Sequence, residues 1–246
     1  MRPLSFYKSL ATAKGRKESG FFLVEGHRSL ELIARVQPDS IDELLCFDPS
    51  PFALLLPAIT RRVLTESQFR SVVSTHAPQG IAGVIRMPQN IGDSILSTTL
   101  PERILLLEAV QDPGNVGTLI RTAAAFGYVL VLMDDACADP FSPKAVQSSA
   151  GSVMAVTIYR SNHFFSLANE VKARGWQLVA TDVHGSELID GSLSLKHGIM
   201  LGNEGNGLSH MAQTLADRSL TIPMTRGAES LNVAAAGAIL MFAGRE

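Results

Sequence analysis

Three stretches of this chain join turn-forming residues to side chains that can hold charge. Glu108-Ala-Val-Gln-Asp-Pro-Gly-Asn-Val-Gly117 runs into an apolar stretch, 118–127, that carries Arg121. Gly117 is placed where a helix begins, and free N–H groups at such a start can hold a phosphate or carboxylate. Arg121 sits among Ile120, Ala123, Ala124 and Phe126. An arginine in so apolar a helix needs an anionic partner, because burying it unpaired is costly. A structural ion pair and a bound phosphate both meet that need. The second stretch, Ile199-Met-Leu-Gly-Asn-Glu-Gly-Asn-Gly207, concentrates glycine after an apolar run. It either lets a ligand approach the backbone or simply makes a turn. It is neither a GxGxxG dinucleotide fingerprint nor a phosphate loop, since no Gly-Lys-Ser/Thr follows. Glu204 has little to pack against there, which favours a polar role. The third stretch, Leu220-Thr-Ile-Pro-Met224 through Ser230-Leu-Asn-Val-Ala-Ala-Ala-Gly237, enters a helix for which Ser230 is the expected N-cap, with Asn232 in the first turn. Its alanines and Gly237 leave room for a flat ligand or for close helix packing.

The elements that must position these loops are legible from periodicity. Short apolar runs at 21–25, 41–47, 61–64 and 81–85 predict strands, and 26–35, 51–56 and 68–74 predict helices. From residue 102 the alternation sharpens. Strands are expected at 103–107, 129–133, 155–159, 177–181, 199–201 and 220–224, with helices at 116–126, 143–149, 164–174, 207–215 and 230–242. Continuous apolar strands separated by helices imply an α/β fold whose C-terminal sheet is mostly parallel and covered on both faces. Open parallel sheets place ligands at the carboxyl ends of their strands, where all three stretches fall. The expected division is a small α/β domain at 1–88, a polar linker at 89–101 and a larger domain at 102–246.

Composition narrows the class. Of 246 residues 46% are hydrophobic and 18% charged, so a sizeable core is expected and disorder is not. No apolar run is long enough for a membrane span, and no signal peptide is evident, so a cytoplasmic protein is expected. Cys46 and Cys137 stand far apart with no histidine cluster near them, so neither a disulfide nor a metal site is expected. The net charge of −2 conceals an asymmetry. Residues 1–88 carry 11 Lys/Arg against 8 Asp/Glu, whereas 89–246 carry 10 against 15; residues 1–35 alone carry 7 against 3. A basic N-terminal third points to an anionic partner, RNA first among candidates.

Taken together, Asn115 with Arg121, the Leu201–Gly207 loop, and Ile222-Pro-Met224 with Ser230-Leu-Asn-Val233 resemble the three motifs of SpoU-type RNA 2′-O-methyltransferases, members of the SPOUT superfamily. They occur in the same order and span about 120 residues. After Asn232-Val233 the chain has three alanines where that family often places a serine. The resemblance implies methylation of a ribose 2′-hydroxyl with S-adenosyl-L-methionine as cofactor, a deep trefoil knot formed by the segments after Gly198, and a homodimer made through the C-terminal domain. It places Gly202, Ile222 and Leu231 where backbone cradles the cofactor, with Thr181, Leu201, Asn203, Gly205 and Met224 beside them. Arg121, Asn115, Glu204, Ser230 and Asn232 match the polar, catalytic set around the transferring methyl. Because free arginine is effectively never deprotonated, Arg121 is expected to act as a cation rather than a base. The N-terminal part, with Lys14-Gly-Arg-Lys17 and Phe22-Leu-Val-Glu-Gly26, looks like the ribosomal-protein-like substrate-binding domain often fused ahead of such enzymes. Arg16, Lys17 and Arg28 are its candidate RNA contacts, and ribosomal RNA is expected over transfer RNA. The competing readings are a catalytically inactive RNA-binding protein of the same fold and a dinucleotide-dependent oxidoreductase.

Overall fold

The computed structural model describes residues 2–47, 59–75, 77–88, 99–188, 193–224 and 230–245. The helix expected at 51–56 and most of the 89–101 linker lie outside these residues. Two compact units emerge, Met1–Gln89 with Asp139–Ala155, and Asn90–Ala138 with Val156–Glu246. The first unit therefore recruits a stretch that the sequence reading assigned to the second.

The first unit begins with two short helices that periodicity does not reveal, α1 (Leu4–Ser9) and α2 (Ala13–Ser19). Thr12 caps α2 through the N–H of Gly15, and Gly20 ends it at φ 74°, a left-handed conformation that suits glycine. There follow β1 (Phe21–Glu25), α3 (His27–Val36), β2 (Ile41–Cys46), β3 (Thr60–Val63), α4 (Glu66–Arg70) and β4 (Ile81–Arg86). A capping box between Thr65 and Gln68 starts α4. The sheet order is β1-β4-β2-β3, antiparallel except for the β2–β3 pair. Tyr7, Leu10, Leu45, Phe69 and Val84 pack one core cluster, and the Tyr7 hydroxyl donates to the buried Glu43 at 2.9 Å.

The second unit supplies β5 (Arg103–Leu107), α5 (Pro113–Ala125) and β6 (Leu130–Met133). The chain then contributes α6 (Pro143–Ser149) to the first unit. It returns for β7 (Thr157–Arg160), α7 (Phe164–Ala173), β8 (Gln177–Glu187), β9 (His197–Leu201), α8 (His210–Leu215), β10 (Arg218–Thr221) and α9 (Val233–Ala243). All pairings in this six-stranded sheet are parallel, in the order β10-β8-β9-β5-β6-β7. Every residue of β9 is buried, as is the Ile-Leu-Leu-Leu run of β5, which is why these strands read as unbroken apolar runs. β8 outruns its expected end at Thr181 because its second half pairs with β10 after a register shift at Ser219/Leu220. One face of the sheet packs Ile104, Leu106, Leu132, Phe164, Val171 and Met200. Against α5 lies α9, brought close by Gly237: a Cβ there would stand 2.4 Å from Leu119 Cδ2 and 2.8 Å from Leu201 Cδ1. The strand order turns back between β5 and β9, so the carboxyl ends of β5, β9 and β8 sit side by side. That crevice is where an open parallel sheet receives ligands. No helix of the described residues is long and apolar enough to cross a membrane.

Candidate active site

Three loops meet at this crevice. The loop after β5 enters α5 earlier than its sequence implies. Asp112 is the N-cap, its Oδ1 accepting from the N–H groups of Gly114 at 2.6 Å and Asn115 at 3.2 Å, and Pro113 opens the helix. Gly117 is therefore buried inside the helix, not at its start, and offers no anion site. Arg121 corrects a second expectation. It lies on the open face of α5, exposed, with no hydrogen bond or ion pair among the described residues. Its apolar neighbours in sequence point inward while it points out, so it needs no buried partner and is free to meet an external anion.

The glycine-rich loop after β9 is built to hold its own shape. Asn203 and Gly207 exchange backbone hydrogen bonds of 2.9 Å in both directions. Gly202 lies so close beneath this bridge that a Cβ would stand 2.3 Å from the Gly207 carbonyl. The Asn203 side chain is committed to the loop: Oδ1 accepts from Gly205 and Asn206 N–H, and Nδ2 donates to the Ala109 carbonyl at 2.9 Å. Ala109 holds that position at φ 51°, unusual for a residue with a side chain. The buried Glu108 completes the tie, accepting from the N–H of Ser209, the N-cap of α8, at 2.8 Å.

Glu204 connects this loop to the first. Its carboxylate accepts from the N–H groups of Gln111 at 3.2 Å and Asp112 at 3.0 Å, and from Asn115 Nδ2 at 3.0 Å. Burial pushes the carboxyl's pKa up, yet these hydrogen bonds outweigh it and hold the group below its ordinary value. Glu204 is thus a committed anion that clamps a loop, not the partner of Arg121. The third loop joins through Asn232, which displaces Ser230 as N-cap of α9: its Oδ1 accepts from Ala234 and Ala235 N–H. Its Nδ2 donates to Asn115 Oδ1 at 3.1 Å. A directed chain, Asn232 to Asn115 to Glu204, therefore links all three loops.

Behind this chain opens a cavity of about 350 Å³. All eight residues expected to hold the cofactor line it, namely Thr181, Leu201, Gly202, Asn203, Gly205, Ile222, Met224 and Leu231, and so do Glu204 and Ser230. Asn115, Arg121 and Asn232 are outside the lining. Asp182 and Gln213, 3.4 Å apart through Gln213 Nε2, also line it. Sequence reasoning passed over both, although Asp182 directly follows the expected end of β8 and so shared the positional signal of the other loops. The walls combine apolar side chains (Leu201, Ile222, Leu240) with backbone and carboxylate groups, as sites for small molecules do. Among the described residues no cluster of His, Cys, Asp and Glu could hold a metal ion.

The candidate RNA contacts separate. Lys17 and Arg28 are exposed. Arg16 is only 3% exposed, its guanidinium paired with Asp139 and its Nη1 donating to the Leu10 carbonyl at 2.9 Å. It is a structural residue of the first unit and, contrary to expectation, is too buried to meet RNA.

Comparison with known proteins agrees with this geometry. The model of the SpoU rRNA Methylase family matches residues 102–242. The 23S rRNA (guanosine(2553)-2′-O)-methyltransferase RlmP of Bacillus subtilis is 35% identical over 238 residues, covering 96% of this chain and 93% of that protein. The AdoMet complex of the SpoU methyltransferase AviRb from Streptomyces viridochromogenes superposes with a TM-score of 0.85 at 27% identity, covering 98% of this chain and 96% of that one. An AdoMet-bound rRNA methyltransferase from Sinorhizobium meliloti gives 0.85 at 26% identity, covering 98% and 93%. Matched over residues 102–242 by the family model and along nearly its whole length by these relatives, this chain belongs to the SpoU rRNA methylase family.

Proposed function

We propose that this protein transfers the methyl group of S-adenosylmethionine to a ribose 2′-hydroxyl of ribosomal RNA. The observation that carries this reading is the hydrogen-bonded chain Asn232–Asn115–Glu204 at the edge of a cavity lined by all eight expected cofactor residues. The residues fit the cofactor: the volume lies within the range of small-molecule sites, and the lining combines apolar side chains such as Leu201, Ile222 and Leu240 with polar groups of the glycine-rich loop. The cofactor supplies a methyl group that is already activated for transfer.

What remains for the chain is alignment and charge. Gly202, Ile222 and Leu231 cradle the cofactor, while Ser230 and Asn232 contact the ribose or the cofactor. Arg121, exposed and permanently charged, binds the phosphate next to the reacting ribose and stabilises negative charge as it develops on the 2′-oxygen. Glu204 is a poor proton acceptor, since three donors already engage its ionised form. Water or the neighbouring phosphate takes the proton. Holding the reactants in line contributes on the order of 7–11 kcal/mol at best.

The first unit grips the RNA, with Lys17 and Arg28 among its contacts. The protein works in the cytoplasm as a homodimer, and the segments after Gly198 form the trefoil knot. The dimer reading draws support from α9, whose sequence is apolar all round although Ile239 and Phe242 stay 40% and 51% exposed. Such a helix face normally has a cover. Phe242→Lys should shift the sedimentation coefficient to that of a monomer.

The direct test incubates the protein with labelled S-adenosylmethionine and unmodified ribosomal and transfer RNA pools, with Arg121→Ala as control. Label in ribosomal RNA, alkali-resistant at one linkage and lost in the variant, is the expected result. Cofactor binding without label in either pool would favour the inactive RNA-binding alternative.

A further inference from the structure

The first unit contains a second cleft, of about 1040 Å³, whose lining lies entirely within that unit. Its floor is apolar, made by the buried Leu10, Val72 and Val146 with Leu23 and Phe141 beside them. Phe141 comes from the stretch between β6 and β7 and leans on Phe22 with ring centroids 5.1 Å apart. At the rim stand Lys8 and Arg28, both exposed and without a hydrogen bond or ion pair among the described residues. The one carboxylate among the described lining residues, Glu25, is tied to its own framework: it accepts from Thr75 Oγ1 at 2.5 Å and from the Gln79 N–H at 3.1 Å.

An apolar floor with an aromatic ring, under a rim of unpaired cations, suits a ligand that presents flat faces and regularly spaced negative charge together. A duplex offers no free base, since its bases are stacked away. Unpaired nucleotides offer both, since their bases stack on rings and their phosphates meet Lys and Arg. We propose that this cleft receives unpaired nucleotides of the RNA substrate, with a base against Phe141 and phosphates at Lys8 and Arg28. The inference rests on the RNA-methylation reading and adds to it a place and a strand state: the first unit selects a loop or bulge, not a helix.

The full-length protein is tested against a ribosomal stem-loop RNA and a blunt duplex with the same stem, across a salt titration. Ala11 is exposed at the cleft. Ala11→Trp obstructs the part of the cleft beside Leu10 and leaves both cations in place, so stem-loop affinity should fall by about tenfold or more while duplex and S-adenosylhomocysteine binding stay unchanged. Lys8→Ala with Arg28→Ala should flatten the dependence of log K on log salt by about 1.4, roughly 0.7 for each single-strand phosphate that the variant no longer neutralises. Stem-loop RNA carrying 5-iodouridine in the loop should photocross-link to the peptide containing Phe141. If the wild type binds RNA but Ala11→Trp binds the stem-loop as well as wild type does, or cross-links fall only outside the lining, the cleft assignment fails and the methylation reading stands. Equal weakening for stem-loop and duplex also overturns it, in favour of a plain electrostatic surface. A wild type that binds no RNA overturns both.

Discussion

Asn115 Nδ2 donates to Glu204 Oε1 at 3.0 Å, so a side-chain amide joins the Gln111 and Asp112 N–H groups in fixing a helix start after one strand to a glycine-rich turn after another. Because Asn115 Oδ1 accepts from Asn232 at 3.1 Å, its orientation is set: it cannot flip without breaking both hydrogen bonds.

Glu204→Gln tests this clamp. The amide keeps the volume but has only one oxygen for donors that now share two, so at least one hydrogen bond of the clamp is lost and the group freed turns to water. Single-turnover methylation should fall roughly 10- to 100-fold, with S-adenosylhomocysteine affinity changed much less. A rate loss matched by an equal loss of cofactor affinity would show that Glu204 acts on the cofactor itself.

Two glycines of the same loop should respond oppositely to alanine. At Gly202 the new Cβ would stand 2.3 Å from the Gly207 backbone, which cannot yield because it is bridged to Asn203. Gly202→Ala should cost about 1–3 kcal/mol in stability and largely abolish cofactor binding. At Gly205 the nearest atom is 3.6 Å away, so Gly205→Ala should fold with wild-type stability, and its cofactor affinity should fall only by what the new methyl takes from the cavity that Gly205 lines. Calorimetry on both variants decides.

His197 should make the fold acid-sensitive. Its Nε2 lies 2.6 Å from the Tyr128 hydroxyl and its Nδ1 2.7 Å from the Ser194 carbonyl, an arrangement that fits the neutral ring with Nδ1 donating. Burial lowers its pKa from 6.5, the Ser194 hydrogen bond opposes this, and Arg103 lowers it further. Below that ordinary value the unfolded chain takes up a proton that the folded one refuses. The contribution of His197 is therefore complete above about pH 6.5 and lost as the pH falls toward the folded pKa. Urea unfolding at pH 7 and pH 5 should show a smaller difference for His197→Gln than for wild type.

Arg16 and Lys17, adjacent in sequence, should separate cleanly. Arg16→Ala leaves Asp139 without its buried cation, and such a loss costs about 3–5 kcal/mol. Lys17→Ala should leave the unfolding midpoint unchanged while weakening RNA binding. Comparable destabilisation by both would contradict the assignment of Arg16 to the frame.

Much of this protein follows from sequence alone, and for local reasons. The buried parallel strands announce themselves as apolar runs such as Ile104–Leu107, because both faces of the sheet are covered. The loops after the strands were legible from their turn residues, proline and small side chains, whereas the residues that line the cavity were named only through the resemblance of those motifs to the SpoU family. The short helices α1 and α2 were not, since each buries too few residues to leave a period.

What sequence could not decide was where side chains end up when distant segments meet. Arg121 reads as buried because its neighbours are apolar, yet the rotation of α5 turns it outward. Arg16 reads as a surface cation within a basic run, yet a residue 123 positions away neutralises it. Ser230 and Asn232 are equally good caps by type, and in the fold Asn232 takes the role while its Nδ2 reaches Asn115 from 117 positions away. In each case the deciding interaction joins residues far apart in the chain, and local propensity carries no information about such a pairing.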